Sequence, residues 1–119
     1  MVRLMDAQSE IKVVSDKIGS PTFASDLAAM IFRLVQTNRF GLYHVCNCGQ
    51  CSRYELAKKI AEILGKKNVR LVPVSSKEFV LSAPRGKLEA LKNHNLELLG
   101  MNDMPAWEES LAAYLRAIK

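Results

Sequence analysis

Asp16-Lys17-Ile18-Gly19-Ser20-Pro21-Thr22, followed by Asp26-Leu27-Ala28, joins two unlike kinds of sequence. The β-branched run Ile11 to Val14 leads into it, and the apolar-periodic segment Leu27 to Val35 leaves it. A strand, a loop and a helix are therefore expected in that order. Gly19 gives the backbone freedom to turn, and Pro21 keeps Ser20 out of the helical region. Thr22, Ser25 and Asp26 are each able to cap the helix that follows.

Working outward, residues 1–8 read as the end of a helix and residues 10–15 as a strand with Val13 and Val14 buried. Residues 24–37 read as a helix with Leu27, Met30, Ile31, Leu34 and Val35 on one face. Asn38 to Gly41 turns the chain, and Leu42 to Cys46 is predicted as a short strand, with Asn47 to Cys51 a loop. Ser52-x-x-Glu55 is a capping box opening a helix with Leu56, Ile60, Ile63 and Leu64 on its apolar face, closed by Gly65. Val69 to Val74 reads as a strand that Pro73 keeps from a central place in a sheet. Ser75 to Glu78 suggests one helical turn, Ala83 to Gly86 a loop, and Leu88 to Leu91 stays ambiguous. A short helix over 92–99 ends at Gly100. Pro105 at a first helical position starts a last helix with Trp107, Leu111, Tyr114, Leu115 and Ile118 inward. The class expected is α/β, or α+β, with short strands and about four helices in one unit spanning 1–119.

The chain has 119 residues, 49% of them hydrophobic and 24% charged, which suffices for one core. Its formal net charge of +5 is spread along the helical stretches, so an anionic small molecule or plain solvation accounts for it as well as nucleic acid does. No run approaches the roughly 20 apolar residues of a membrane span, and no signal peptide is visible. Neither nucleic acid nor membrane is thus among the expected partners, and the expected location is cytoplasmic. Met1 to Met5 reads as a helix already under way, which suggests part of a larger protein.

Three constellations carry chemistry. Cys46-x-Cys48-x-x-Cys51 places three thiols within six residues, and His44 or His94 would have to supply a fourth zinc ligand. No second C-x-x-C pair exists, so the expectation is no metal, with a small zinc module as the competing idea. Tyr54-x-x-x-Lys58 has the spacing of the short-chain dehydrogenase tyrosine and lysine. The six glycines are dispersed, however, and no glycine-rich loop precedes the pair to cradle a dinucleotide, so the pair is read as coincidental. Arg85, in Ala83-Pro84-Arg85-Gly86, is able to present its fork to a carboxylate or phosphate, or simply to face solvent.

Taken together, Val13-Val14-x-Asp16-x-x-Gly19-Ser20-Pro21-Thr22-x-x-x-Asp26-Leu27-Ala28, Gly41-x-Tyr43-His44-Val45 and Cys51-Ser52-x-Tyr54-Glu55-x-Ala57 resemble the C-terminal half of dTDP-4-dehydrorhamnose reductases. Ala83-x-Arg85, Leu91-x-Asn93-x-x-Leu96, Leu99-Gly100 and Trp107-x-x-x-Leu111-x-x-Tyr114-Leu115 continue the resemblance to the end of the chain. These reductases are extended short-chain dehydrogenases. Their N-terminal Rossmann lobe holds NADPH and the catalytic tyrosine and lysine, and their smaller C-terminal lobe helps bind the dTDP-sugar. The resemblance implies a substrate-binding lobe without its Rossmann lobe, with no catalytic or cofactor-binding residue of its own. It implies that Asp16, Lys17, Gly19, Ser20, Pro21 and Thr22 line the mouth of a substrate cleft and that Arg85 approaches the nucleotide-sugar. The implied partners are the dTDP-sugar, the N-terminal Rossmann domain of the same protein and, for the parent, a second copy as a homodimer. The chain departs from the family pattern at Lys17, Arg53, Gly86, Glu89, Lys92 and Asn95. Those departures keep a second reading open, a non-catalytic regulatory or interaction subunit of the same fold.

Overall fold

The computed structural model describes residues 1–79, 83 and 86–118. Five α-helices and short strands alternate among them: α1 (Val2–Ala7), β1 (Glu10–Val14), β2 (Ile18–Gly19), α2 (Ala24–Leu34), β3 (Cys51–Ser52), α3 (Arg53–Leu64), β4 (Arg70–Val74), a 3-10 turn (Ser76–Glu78), β5 (Leu88–Glu89), α4 (His94–Leu98) and α5 (Trp107–Ala117). The mixed α/β class expected from the sequence is the one observed.

β1 alternates as its sequence dictates: Ile11 and Val13 are buried, Glu10 and Lys12 exposed, and Val14 only half-buried. It pairs in parallel with β4, Val13 opposite Pro73, in a two-stranded sheet where the proline needs no inward donor. The second sheet has the order β3-β2-β5. Ile18 and Gly19 pair antiparallel with Ser52 and Cys51 on one side, and in parallel with Leu88 and Glu89 on the other.

α3 follows its sequence signals closely. Ser52 Oγ accepts from Glu55 N–H at 3.1 Å, Glu55 Oε2 accepts from Ser52 N–H at 2.7 Å, and Gly65 closes the helix at φ 64°. The larger core sits between α3, α5 and the β1–β4 pair, with Met5, Ile11, Val13, Cys51, Ala57, Ile60, Trp107, Leu111 and Leu115 buried together. A smaller cluster joins Met30 of α2 to Leu96 and Met104, with Leu34, Tyr43 and Val45 packed against it.

Five expectations need correction. Cys51 lies in a strand rather than a loop, and Ser52 pairs beside it while still capping α3, because β2 offers them an edge. Leu42 to Cys46 pairs with no strand among the described residues. On α2, Met30 is buried and Leu27 and Leu34 half-buried, but Ile31 and Val35 face outward. Tyr114 and Ile118 of α5 are likewise about half exposed. Finally, α5 begins at Trp107 rather than Pro105. Cys48 N–H donates to Pro105 O at 2.9 Å and Trp107 N–H donates to Cys48 O at 3.0 Å, which holds 105–106 in a β-bridge beside Cys48.

Candidate functional site

The loop after β1 is fixed from both sides. Asp16 Oδ1 accepts from Ser76 N–H at 2.8 Å, and Oδ2 accepts from Ser75 Oγ at 2.9 Å and Ser76 Oγ at 3.2 Å. The Ser76 amide foremost, then the Ser75 hydroxyl, holds the Asp16 carboxyl below its ordinary range. Asp16 thereby ties the end of β1 to the turn after β4. Lys17 Nζ donates to Gly86 O at 2.7 Å, joining the same loop to the start of the β5 region. Ser20 Oγ accepts from Leu91 N–H at 3.1 Å, and Thr22 Oγ1 donates to Ser20 O at 3.1 Å.

Gly19 differs from its expected role. It lies in β2 without a left-handed φ, and a Cβ added there meets no described atom within 4 Å. The glycine whose conformation is required is Gly49, at φ +91°, where a Cβ would stand 2.9 Å from Trp107 Cδ1.

A cleft of about 310 Å³ opens beside the carboxyl ends of β1 and β4. Val13, Val14, Phe79 and Met1 give it apolar walls, while among the described residues Lys12, Lys17 and Arg53 stand against the carboxylate of Glu89. Lys12 is partly engaged by Glu78 at 3.5 Å. Pro21 and Thr22 border a different and more apolar groove, with Phe23, Leu56, Ile60, Leu111 and Tyr114. The six described loop residues thus run between two concavities. Lys17 faces the cationic one, Pro21 and Thr22 the apolar one, and Asp16, Gly19 and Ser20 hold the loop between them. Arg85 lies outside the described residues.

The thiols do not converge. Cys46 is buried, with Sγ 3.2 Å from Asn93 Oδ1; Cys48 is exposed and donates to Met104 O at 3.0 Å; Cys51 is buried under α3. Burial above all, then Glu55 and Glu108, pushes the Cys51 thiol up to about 11. Among the described residues no three His, Cys, Asp or Glu side chains gather where they would hold a metal ion. Tyr54 is half-buried with the Lys58 ammonium 5.8 Å from its ring centroid, over the ring face.

Two asparagines organise this region: Asn47, which the sequence offered only as a loop residue, and Asn93, which it offered only as part of the family motif. Asn47, 1% exposed, accepts from Phe23 N–H at 2.9 Å and donates to Asp26 Oδ2 at 2.7 Å and Ser110 Oγ at 2.9 Å, with Pro105 O at 3.2 Å. It joins the starts of α2 and α5. Asn93 accepts from Cys46 N–H at 2.9 Å and donates to Cys46 O at 2.7 Å and Asn102 Oδ1 at 3.0 Å. Polar residues in loops carry no periodic signal, so their burial is a tertiary fact. Asp26, noted in the sequence as a cap, serves here as the acceptor for Asn47.

A nicotinamide dinucleotide does not fit this chain's own residues. The glycines at 19, 41, 49, 65, 86 and 100 form no phosphate-cradling loop, and the first turn of α3 is already occupied by Ser52 and Glu55.

Comparison with known proteins supplies the context. The profile of the RmlD substrate binding domain matches residues 1–119. The spore coat polysaccharide biosynthesis protein SpsK of Bacillus subtilis is 36% identical over 116 residues, covering 98% of this chain and 40% of that protein. A dTDP-4-dehydrorhamnose reductase of Mycobacterium tuberculosis H37Rv is 35% identical over 118 residues, covering 98% and 39%. Among solved structures, the Bacillus anthracis dTDP-4-dehydrorhamnose reductase in complex with NADP superposes with a TM-score of 0.91 at 42% identity, covering 98% of this chain and 41% of that one. A reductase of the same name from Clostridium acetobutylicum gives a TM-score of 0.95 at 32% identity, again covering 98% and 41%. The chain spans about two-fifths of the length of these relatives. A profile match over the whole chain, joined to the loop and sheet arrangement described above, makes it a member of the RmlD substrate-binding domain family.

Proposed function

We propose that this chain is the substrate-binding portion of an NADPH-dependent sugar-nucleotide reductase, a dTDP-4-dehydrorhamnose reductase that reduces dTDP-4-dehydro-L-rhamnose to dTDP-L-rhamnose for polysaccharide synthesis. The single observation carrying the reading is the family match along all 119 residues. The cationic cleft supports it. Lys12, Lys17 and Arg53 suit a diphosphate, and Val13, Val14 and Phe79 suit the flat or apolar parts of a nucleotide-sugar.

The chain's own task is positioning. The Asp16 and Lys17 hydrogen bonds fix the loop so that Gly19, Ser20, Pro21 and Thr22 present a shaped rim, with Arg85 assigned to the nucleotide-sugar end. Holding the ketone near a hydride donor supplies orientation, and the donor belongs to the dinucleotide-binding lobe rather than to this chain. NADPH is the expected cofactor of that lobe. The proposed setting is the cytoplasm, and the proposed partners are the dTDP-sugar and the N-terminal lobe.

One wall of a two-lobe cleft buries only part of a ligand. Titration calorimetry of this chain with dTDP-rhamnose is therefore expected to give millimolar or weaker binding, roughly above −4 kcal/mol, with no NADPH oxidation. Supplying the N-terminal lobe of a relative is expected to restore both. Micromolar binding or turnover by this chain alone would overturn the two-lobe account. A complex with the lobe that binds no dTDP-sugar would favour the non-catalytic subunit instead.

A further inference from the structure

The polar side chains around the cleft beside β1 and β4 are not equally open to a ligand. Ser76 donates its N–H and its hydroxyl to Asp16. Lys12 reaches Glu78 at 3.5 Å, and Lys17 Nζ donates to Gly86 O at 2.7 Å. Arg53 and Glu89 differ from these. Both line the cleft, both are exposed, and neither side chain makes a hydrogen bond or ion pair among the described residues. A guanidinium fork and a carboxylate are thus uncommitted on the same concavity.

The second sheet sets the two on opposite flanks of β2. Arg53 follows directly on Ser52, which pairs with Ile18, and Glu89 pairs with Gly19 from the other side. Two strand spacings, ~10 Å, separate those flanks. A neighbour locates the Glu89 stem: a Cβ added at Gly86 would stand 3.8 Å from Glu89 Cγ. Gly86 is also the residue whose carbonyl accepts from Lys17. The β5 pairing and the Lys17 bond therefore hold the backbone on both sides of this carboxylate.

Two unlike charges suit a ligand with two unlike ends. A diphosphate offers acceptors only, which matches the Arg53 fork. An ionised carboxylate also accepts only, so Glu89 repels that end and matches a group that donates. In the substrate class proposed above, the diphosphate occupies C1 of the sugar, the ketone C4, and a methyl group replaces the C6 hydroxymethyl. The hydroxyls of C2 and C3 are then the donors of the sugar. They are neighbours, and a carboxylate has two oxygens to accept from them.

We propose that Glu89 is the residue that reads the sugar: its carboxylate accepts from the neighbouring C2 and C3 hydroxyls while Arg53 holds the diphosphate from the far flank of β2. The proposal rests on the substrate-binding reading above. It adds the direction in which the nucleotide-sugar lies, with phosphates toward α3 and sugar toward β5. Such a grip leaves the C4 carbonyl, next on the ring, open to groups from a second lobe.

Binding is read from amide shifts of the isotope-labelled chain titrated with dTDP, dTDP-rhamnose and dTDP-2-deoxyrhamnose at constant ionic strength. The two nucleotide-sugars carry the same charge, so the margin between them reports the hydroxyl alone. The unaltered chain is expected to bind dTDP-rhamnose about threefold more tightly than the 2-deoxy sugar, the size of an exposed charged contact. Glu89→Ala should abolish that margin while binding dTDP at least as tightly as before, since a repelling charge is gone. Arg53→Gln should weaken all three ligands about threefold and keep the margin. Both positions are exposed, and the spectra of the free variants should match the unaltered chain away from the substitution. The inference is overturned if Glu89→Ala keeps the margin, or if it raises affinity for dTDP and dTDP-rhamnose alike, which would make Glu89 a repelling charge only. In either case, dTDP-dependent shifts at the cleft leave the substrate-binding reading standing. No shift at Lys17, Arg53 or Glu89 with any of the three ligands overturns that reading and this inference together.

Discussion

Gly49 and Gly19 show how differently two glycines are used. At Gly49 the positive φ and the indole of Trp107 leave no room for a Cβ, so Gly49→Ala should destabilise the fold by about 2–3 kcal/mol through strain and overpacking. Gly19→Ala meets no described neighbour and should change stability by less than ~1 kcal/mol. Urea unfolding followed by Trp107 fluorescence separates the two, and equal effects would refute the contrast. Asn47 makes a sharper case. Asn47→Leu would strand the Phe23 amide, the Asp26 carboxylate and the Ser110 hydroxyl in or near the core. A loss on the order of 3 kcal/mol is expected, and a change below ~1 kcal/mol would show that water replaces these bonds.

At the scale of elements, α3 is the helix whose sequence signals and structure agree best, and its first turn titrates. Hydrogen bonds from the Ser52 amide, then the Ser52 hydroxyl, hold the Glu55 carboxyl below its ordinary value of 4.5. A lowered native pKa means the unfolded chain takes up the proton first. The stabilisation is therefore complete above about pH 4.5 and is lost as the pH falls through the lower native value. Glu55→Gln should lower the unfolding temperature at pH 7 and flatten its decline between roughly pH 5 and 3. Parallel acid limbs for the two proteins would show that the capping box adds nothing to the pH dependence.

For the whole molecule, the consequence of being one lobe of two is stability that depends on a partner. If the proposed N-terminal lobe binds the folded chain and not the unfolded one, a concentration of 100 times the dissociation constant adds about 2.7 kcal/mol. The unfolding midpoint of this chain, read at Trp107, should therefore rise with the concentration of that lobe and be insensitive to an unrelated dinucleotide-binding protein. A midpoint that ignores the lobe would show that the outward-facing Ile31 and Val35 of α2 are ordinary surface.

The sequence by itself determined what local rules govern. The capping box at Ser52 and Glu55, the glycine closures at Gly65 and Gly100 and the alternation of β1 are all properties of a few neighbouring residues. The family was legible too, because its motifs recur in order along the whole chain. Tertiary structure alone decided the rest. Ile18 and Gly19 become a strand only because Cys51 and Leu88 arrive on either side, from distant parts of the chain. Asn47 and Asn93 become hubs only because loops far apart in sequence converge on them. Ile31 and Val35 look like core in a helical pattern, since periodicity reports that a face is apolar and not what covers it. The placing of Lys17 and Arg53 on one cleft is of the same kind: the sequence supplied two cations, and the packing of the β2–β3 pair under α3 brought them together.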